Sequence, residues 1–293
     1  MRSLSDNTRG AILMMAAMAA FSINDAIMKG LVSHINLYQV LFLRGLLTLV
    51  LVMTVLTKVT GPVSLRMPKQ DRKLVALRSA AEMTASIGIV TALSKMPFAN
   101  VSAILQSSPL MIALGAALVF RQPIGWRRML AIGIGFVGVL FIVKPGPDGF
   151  EDGVLWVLLG VISVTVRDLS VRGMSSAVST STVTLGATLS VTVLMGLIST
   201  TIVWDPMTVA DGFWIVANAV AITVAFALAV AMMKVGDISF VASFRYTALI
   251  WVILIGIVVF GEWPDIWTYI GGAIIAATGI YTLLRERRLA REK

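Results

Sequence analysis

Ten stretches of roughly twenty mostly apolar residues run through the chain, at 10–31, 36–57, 73–95, 98–120, 126–143, 153–172, 179–203, 211–234, 238–260 and 265–284, with only short polar joints between them. A hydrocarbon core of about 30 Å is crossed by about 20 helical residues rising about 1.5 Å each, so each stretch is long enough to span a bilayer. Inside lipid a backbone must satisfy its own polar groups, and runs of this length and composition do so only as helices. The expected fold is an all-α membrane protein of ten transmembrane helices, with little chain left for a soluble domain. Composition agrees: 58% of the 293 residues are hydrophobic and 13% charged, against about 45–50% apolar and about 25% charged in soluble domains.

The joints carry helix breakers, among them Gly61-Pro62, Pro68, Pro97, Pro123, Pro145-Gly146-Pro147 and Pro264. Trp126, Trp204, Trp214, Trp263 and Trp267 fall near span ends, as interfacial aromatics do. Placing the N-terminus in the cytoplasm puts most of the 24 lysines and arginines on that side, including Arg9, Lys58, Arg72, Lys73, Arg128 and Arg285. Lys29, Lys95 and Lys144 go to the opposite side, beside Asp205, Asp211, Glu262 and Asp265. The positive-inside rule is then met with both termini cytoplasmic, in a bacterial-type inner membrane crossed many times. The net charge of +9 is thereby an orientation signal, and no nucleic-acid partner is needed to explain it.

Several chemistries are excluded. Without cysteine, and with His34 as the single histidine, there is no disulfide, thiolate metal site or imidazole cluster. His34 itself reads as a solvated joint residue. No phosphate-cradling glycine loop with lysine, no HExxH motif and no nucleophile elbow is present, so the chain is not expected to be an enzyme or to hold a metal or cofactor.

The second half echoes the first. At an offset of 143, Gly10, Asp25, Lys29 and Gly30 meet Gly153, Asp168, Arg172 and Gly173; at 140, Val101 and Phe120 meet Val241 and Phe260; at 141, Pro123, Trp126 and Gly138 meet Pro264, Trp267 and Gly279. Their common order indicates a duplicated five-helix unit, 1–146 and 147–293. An odd-numbered unit joined in series enters the membrane from opposite faces, giving two inverted repeats, an architecture of secondary transporters that hold solute near the midplane.

Charges within the spans are few, and each is expensive in lipid, about 2.5–3.5 kcal/mol for a central arginine or aspartate. Arg44, Arg78, Glu82 and Arg245 should therefore face the bundle interior or a wet cavity. Arg78 and Glu82, four apart, can neutralise one another. Arg44 and Arg245 have no carboxylate within a turn, so each needs an acceptor on another span or an anionic group of a solute, for which an amino-acid carboxylate would serve. Gln106-Ser107-Ser108-Pro109 breaks the fourth span and should free a carbonyl for a solute, water or neighbour, while Arg245-Tyr246-Thr247 holds the matching place in the ninth. Gln106, Ser107, Arg245 and Tyr246 thus join Arg44, Arg78 and Glu82 as cavity candidates. Asp25 with Lys29 and Asp168 with Arg172 read as helix-end ion pairs, with gating as the alternative role. Glu262 reads as a cap or loop contact, and the glycines of the fifth and tenth spans as close packing, within the chain or between protomers.

Phe42-Leu43-Arg44-Gly45-Leu46, Met96-Pro97 through Ser107-Ser108-Pro109-Leu110, and Phe260-Gly261-Glu262 followed by Gly271-Gly272 and Gly279 resemble the drug/metabolite transporter superfamily, in its ten-helix branch of two EamA-type repeats. Within it the chain is most similar to the YddG-type exporters. That resemblance implies export of aromatic and other neutral amino acids and related small metabolites, by alternating access through a central cavity. Export of hydrophobic organic cations, with Glu82 as their partner, is the alternative; a non-transporting scaffold or receptor is the reading from another class. The chain departs from the family pattern at Gln122, where a glutamate matching Glu262 is common, and by having no mid-depth carboxylate in its first span. A monomer is expected, with the bilayer and small solutes as its partners.

Overall fold

The computed structural model describes residues 6–60, 63, 68–121, 125–144, 152–175, 178–232, 235 and 238–291. Ten helices are long and apolar enough to cross a membrane: α1 Asp6–Val32, α2 Leu37–Val55, α3 Lys69–Lys95, α4 Phe98–Val119, α5 Trp126–Val143, α6 Val154–Arg172, α7 Ser181–Ser199, α8 Val209–Ala229, α9 Phe240–Phe260 and α10 Ile266–Arg285. No strand occurs among the described residues. Each helix falls on one of the ten expected stretches. Gly61-Pro62, Gln122, Pro123 and Pro145 to Pro147 lie outside the described residues.

Helix ends move from the expected positions where polar groups decide them. The third helix starts at Lys69, straight after Pro68, because a polar first turn can helix outside the apolar run. The seventh stops at Ser199 rather than 203. There the Thr200 and Thr201 hydroxyls donate to the Leu197 and Ile198 carbonyls at 2.7 Å each, and the Trp204 indole donates to the Ser199 carbonyl at 2.9 Å. These bonds occupy carbonyls that a helix end leaves open.

Helix packing comes in sets that interchange when each helix is replaced by the one five places on. α1 packs on α8 as α6 does on α3, α1 on α9 as α6 on α4, and α2 on α8 as α7 on α3, while α2 with α7 and α5 with α10 map onto themselves. The match reaches single bonds. Asn24 Nδ2 donates to Asp25 Oδ1 at 2.9 Å, and at the corresponding place Arg167 Nε donates to Asp168 Oδ1 at 2.8 Å.

Two of these crossings depend on glycine. A Cβ on Gly88 of α3 would lie 2.7 Å from the Trp156 carbonyl oxygen of α6, and one on Gly138 of α5 would lie 2.9 Å from the Gly271 carbonyl oxygen of α10. The second contact puts the glycine pairing of the fifth and tenth spans inside one chain. Around the bundle, large apolar side chains such as Leu118, Leu155, Leu197 and Val258 point outward, with the five tryptophans exposed near helix ends. Such a surface suits lipid contact rather than water.

Candidate functional site

Between the helices lies a cavity of about 350 Å³, lined from α1, α2, α3, α4, α6, α7, α8 and α9. The charged side chains on its wall are Asp25, Arg44, Arg78, Glu82, Arg167 and Arg245. Gln106 and the hydroxyls of Thr184, Thr188 and Thr192 add hydrogen-bonding groups, and Phe21 and Phe226, edge to face at 5.6 Å, add aromatic surface. Six groups that would each be costly in lipid line one cavity between the helices, away from the lipid-facing surface.

Glu82 is the hinge of the ionic arrangement. Its Oε2 lies 3.8 Å from Arg78 Nη1 on its own helix and its Oε1 lies 3.6 Å from Arg167 Nη1 on α6. Arg167 in turn holds Asp168 at 2.8 Å. Arg78 also donates to the Val183 carbonyl of α7 at 3.5 Å. The anticipated Arg78–Glu82 pair therefore exists, but Glu82 is shared with the other half of the chain. Sequence reasoning missed Arg167 as a cavity residue because its partner Glu82 lies 85 positions away; the signal was the Arg167-Asp168 pair of charges inside an apolar span.

Asp25 departs from its expected place. It is not a water-side helix end paired with Lys29 but a wall of the cavity, held by Asn24 and facing the field of Arg44. The first span thus carries a cavity carboxylate after all. Lys29 turns the other way, pairing with Glu262 Oε1 at 3.0 Å and donating to the carbonyls of Met96 at 2.7 Å and Leu93 at 3.3 Å. Glu262 Oε2 accepts from the Phe98 amide at 2.6 Å, which caps the start of α4, so the expected cap contact is also an ion pair. Asp168 likewise bonds Arg167, and Asp168 and Arg172 line a second cavity instead of forming an isolated helix-end pair.

The Lys29 cluster belongs to a band of bonds on the face away from the chain termini. There His34 Nε2 lies 2.9 Å from Asp211 Oδ1, Asp205 accepts from the Asn36 amide at 2.7 Å, and Gln39 exchanges bonds with the Asp205 backbone at 2.9 and 3.1 Å. His34 is therefore not merely solvated. Lys144 pairs with Asp265 on the same face. Below this band an apolar cluster including Met28, Leu31, Leu41 and Met195 separates it from the cavity charges.

The break in α4 lies where expected, at Gln106 and Ser107, but its chemistry differs. Pro109 has no N–H for the Leu105 carbonyl four residues back. Ser108 Oγ donates to that carbonyl at 2.5 Å, so it is not left for a solute. Ser107 Oγ donates to the Ile104 carbonyl at 2.6 Å and is buried, which removes Ser107 from the cavity wall. Gln106 Nε2 instead donates across to the Arg245 carbonyl at 2.9 Å, joining the break in α4 to the 3₁₀ turn Ser243–Thr247 in α9. Tyr246 points away from the central cavity, packing on Gly279 and lining an apolar cleft against α4 and α10. A 3₁₀ turn carries successive side chains about 120° apart, so neighbours 245 and 246 cannot share one face.

Known proteins agree with this layout. Residues 8–144 match the EamA-like transporter family. The chain is similar to the S-adenosylmethionine uptake transporter of Rickettsia conorii, 22% identical over 94% of this chain and 93% of the relative. It is also similar to the riboflavin transporters of Vibrio cholerae, 28% identical over 65% of this chain and 64% of the relative, and Rhizobium johnstonii, 24% identical over 71% and 70%. These relatives are named as transporters, not enzymes. One solved crystal structure superposes with a TM-score of 0.66, covering 96% of this chain and 99% of its own at 17% identity, which shows a shared fold. Residues 8–144, somewhat under half of the chain, match the EamA-like transporter family, and ten helices of the chain are long and apolar enough to cross a membrane.

Proposed function

We propose that this protein carries amino acids and related small metabolites across a bacterial inner membrane, in the outward direction, by alternating access. In this reading the halves 1–146 and 147–293 are inverted repeats with both termini cytoplasmic, and they rock about the central cavity. Arg44 and Arg245 receive the solute carboxylate, while Asp25 and Glu82 form the acidic side of the pocket. Arg78 and Gln106 position Glu82 and the Arg245 turn. The observation that supports this most is one cavity lined by charged groups from both halves of the chain, with Asp25, Arg44, Arg78 and Glu82 from the first and Arg167 and Arg245 from the second. Its volume, about 350 Å³, sits at the lower end of the roughly 300–1,000 Å³ of small-molecule sites.

Lys29, with Glu262, serves in this reading as a latch on the far face, and Asp168 with Arg172 as part of the opening on the near one. Counterflow of radiolabelled amino acids across proteoliposomes, with and without a pH gradient, tests the proposal. Uptake that requires unlabelled amino acid inside and falls at least tenfold in Arg44→Ala is the expected result; counterflow with S-adenosylmethionine or riboflavin but no amino acid would reject it. The names of the relatives favour that second reading, in which the cavity carries a cofactor-sized metabolite inward.

A further inference from the structure

The unequal charge of the cavity has a chemical consequence. Four guanidiniums, Arg44, Arg78, Arg167 and Arg245, face two carboxylates, Asp25 and Glu82. Glu82 is already held between Arg78 and Arg167, while Asp25 accepts from the neutral Asn24 amide and makes no ion pair within 4 Å among the described residues. Arg44 and Arg245 likewise make no ion pair within 4 Å among the described residues, and the buried Nε of Arg245 has no hydrogen-bond partner.

Arg245 also lines a second cavity, of about 270 Å³, between α4, α5, α6, α9 and α10. The other charged groups there among the described residues are Arg128, Arg172 and Asp168, and Asp168 is held by Arg167. Arg128 opens α5 and Arg172 closes α6, which places this second cavity toward the face of the chain termini. Arg245 lines both spaces.

We infer that, among small carboxylate-bearing metabolites, this protein selects those with net negative charge, such as acidic amino acids and dicarboxylates, and that Arg44 and Arg245 set the preference. The inference rests on the central cavity being the transport site, and it names the substrate class of that site. Among packed helices, where the effective dielectric is below that of water, an unpaired guanidinium gains more from an anion than the same pair does in solvent. A neutral zwitterion satisfies one guanidinium and leaves the other without an anion. A second carboxylate satisfies the other guanidinium instead. A cation meets the excess positive field directly.

Glutamate and glutamine differ by one charge at nearly equal size, so they isolate the effect. Counterflow of radiolabelled glutamate, glutamine and lysine would be measured in proteoliposomes with the membrane potential clamped at zero, beside thermal stabilisation of the detergent-solubilised protein by each. Glutamate should exceed glutamine at least tenfold in both measurements, with lysine lowest, and Arg44→Gln and Arg245→Gln should each bring the glutamate to glutamine ratio toward one. Equal or faster glutamine flux overturns the inference while leaving amino-acid transport standing, as does an unchanged ratio in both variants. Flux of none of the three overturns the transport reading and this inference with it. Should a glutamine variant fail to fold, Arg245→Lys, which keeps the charge, should retain the ratio, and loss of preference there also overturns the role given to the charge.

Discussion

Replacing Glu82 with glutamine removes the one carboxylate that joins α3 to α6 by charge. At 3.6 and 3.8 Å from two guanidiniums, an effective dielectric of about 20 gives about 4–5 kcal/mol of attraction per contact. That gross figure is offset by desolvation, and removing one partner of a buried pair costs about 3–5 kcal/mol net. The three side chains keep 14–24% of their exposure and border a cavity, so about 2 kcal/mol is the working value for Glu82→Gln. For a chain of 293 residues the shift in midpoint is about 3 °C. Thermal unfolding in detergent reads this, and Glu82→Gln/Arg78→Gln should recover at least half of the loss, because Arg78 has no other carboxylate within 4 Å among the described residues, whereas Arg167 keeps Asp168 at 2.8 Å. A Glu82→Gln protein as stable as the parent, or a double variant losing the sum of both single losses, would refute the bridge.

Removing the Ser108 hydroxyl leaves the Leu105 carbonyl buried without a donor, so Ser108→Ala should lower stability by about 1–2 kcal/mol, and adding Pro109→Ala, which returns a backbone N–H, should restore most of it in the same melts. Because the chain has no cysteine, Ser86→Cys on the cavity wall is a clean reporter; in that background Lys29→Met or Glu262→Gln should raise its labelling by an impermeant thiol reagent added at the face away from the termini about tenfold, and unchanged labelling would remove the latch. Gly88→Leu should force α3 from α6 and unfold the protein or abolish transport, whereas Gly133→Leu, whose Cβ meets nothing within 4 Å, should leave melting within about 0.5 kcal/mol of the parent.

The charges whose sequence signal was strongest were those with no partner nearby. Arg44 and Arg245 stood alone in apolar runs, and both reach the cavity. Pairs suggested by i,i+4 spacing fared differently. Asp25 and Lys29 share a helix, yet Lys29 found a carboxylate 233 positions on, together with two carbonyls at a helix end, a set of acceptors one aspartate cannot match. Ser107 and Tyr246 were chosen for lying beside the breaks, but a hydroxyl next to a break bonds the nearest carbonyl, and a 3₁₀ turn rotates its neighbours apart.

What the amino-acid order determines alone is the number of helices, their approximate ends and the membrane as their solvent, because apolar length against bilayer thickness and the internal bonding of a helix are local properties. Which arginine meets which carboxylate was decided by the tertiary structure. Glu82 with Arg167, Lys29 with Glu262, and Gln106 with the Arg245 carbonyl each join the two halves, and such contacts depend on helix rotation and crossing distance, which Gly88 and Gly138 set and no linear spacing encodes.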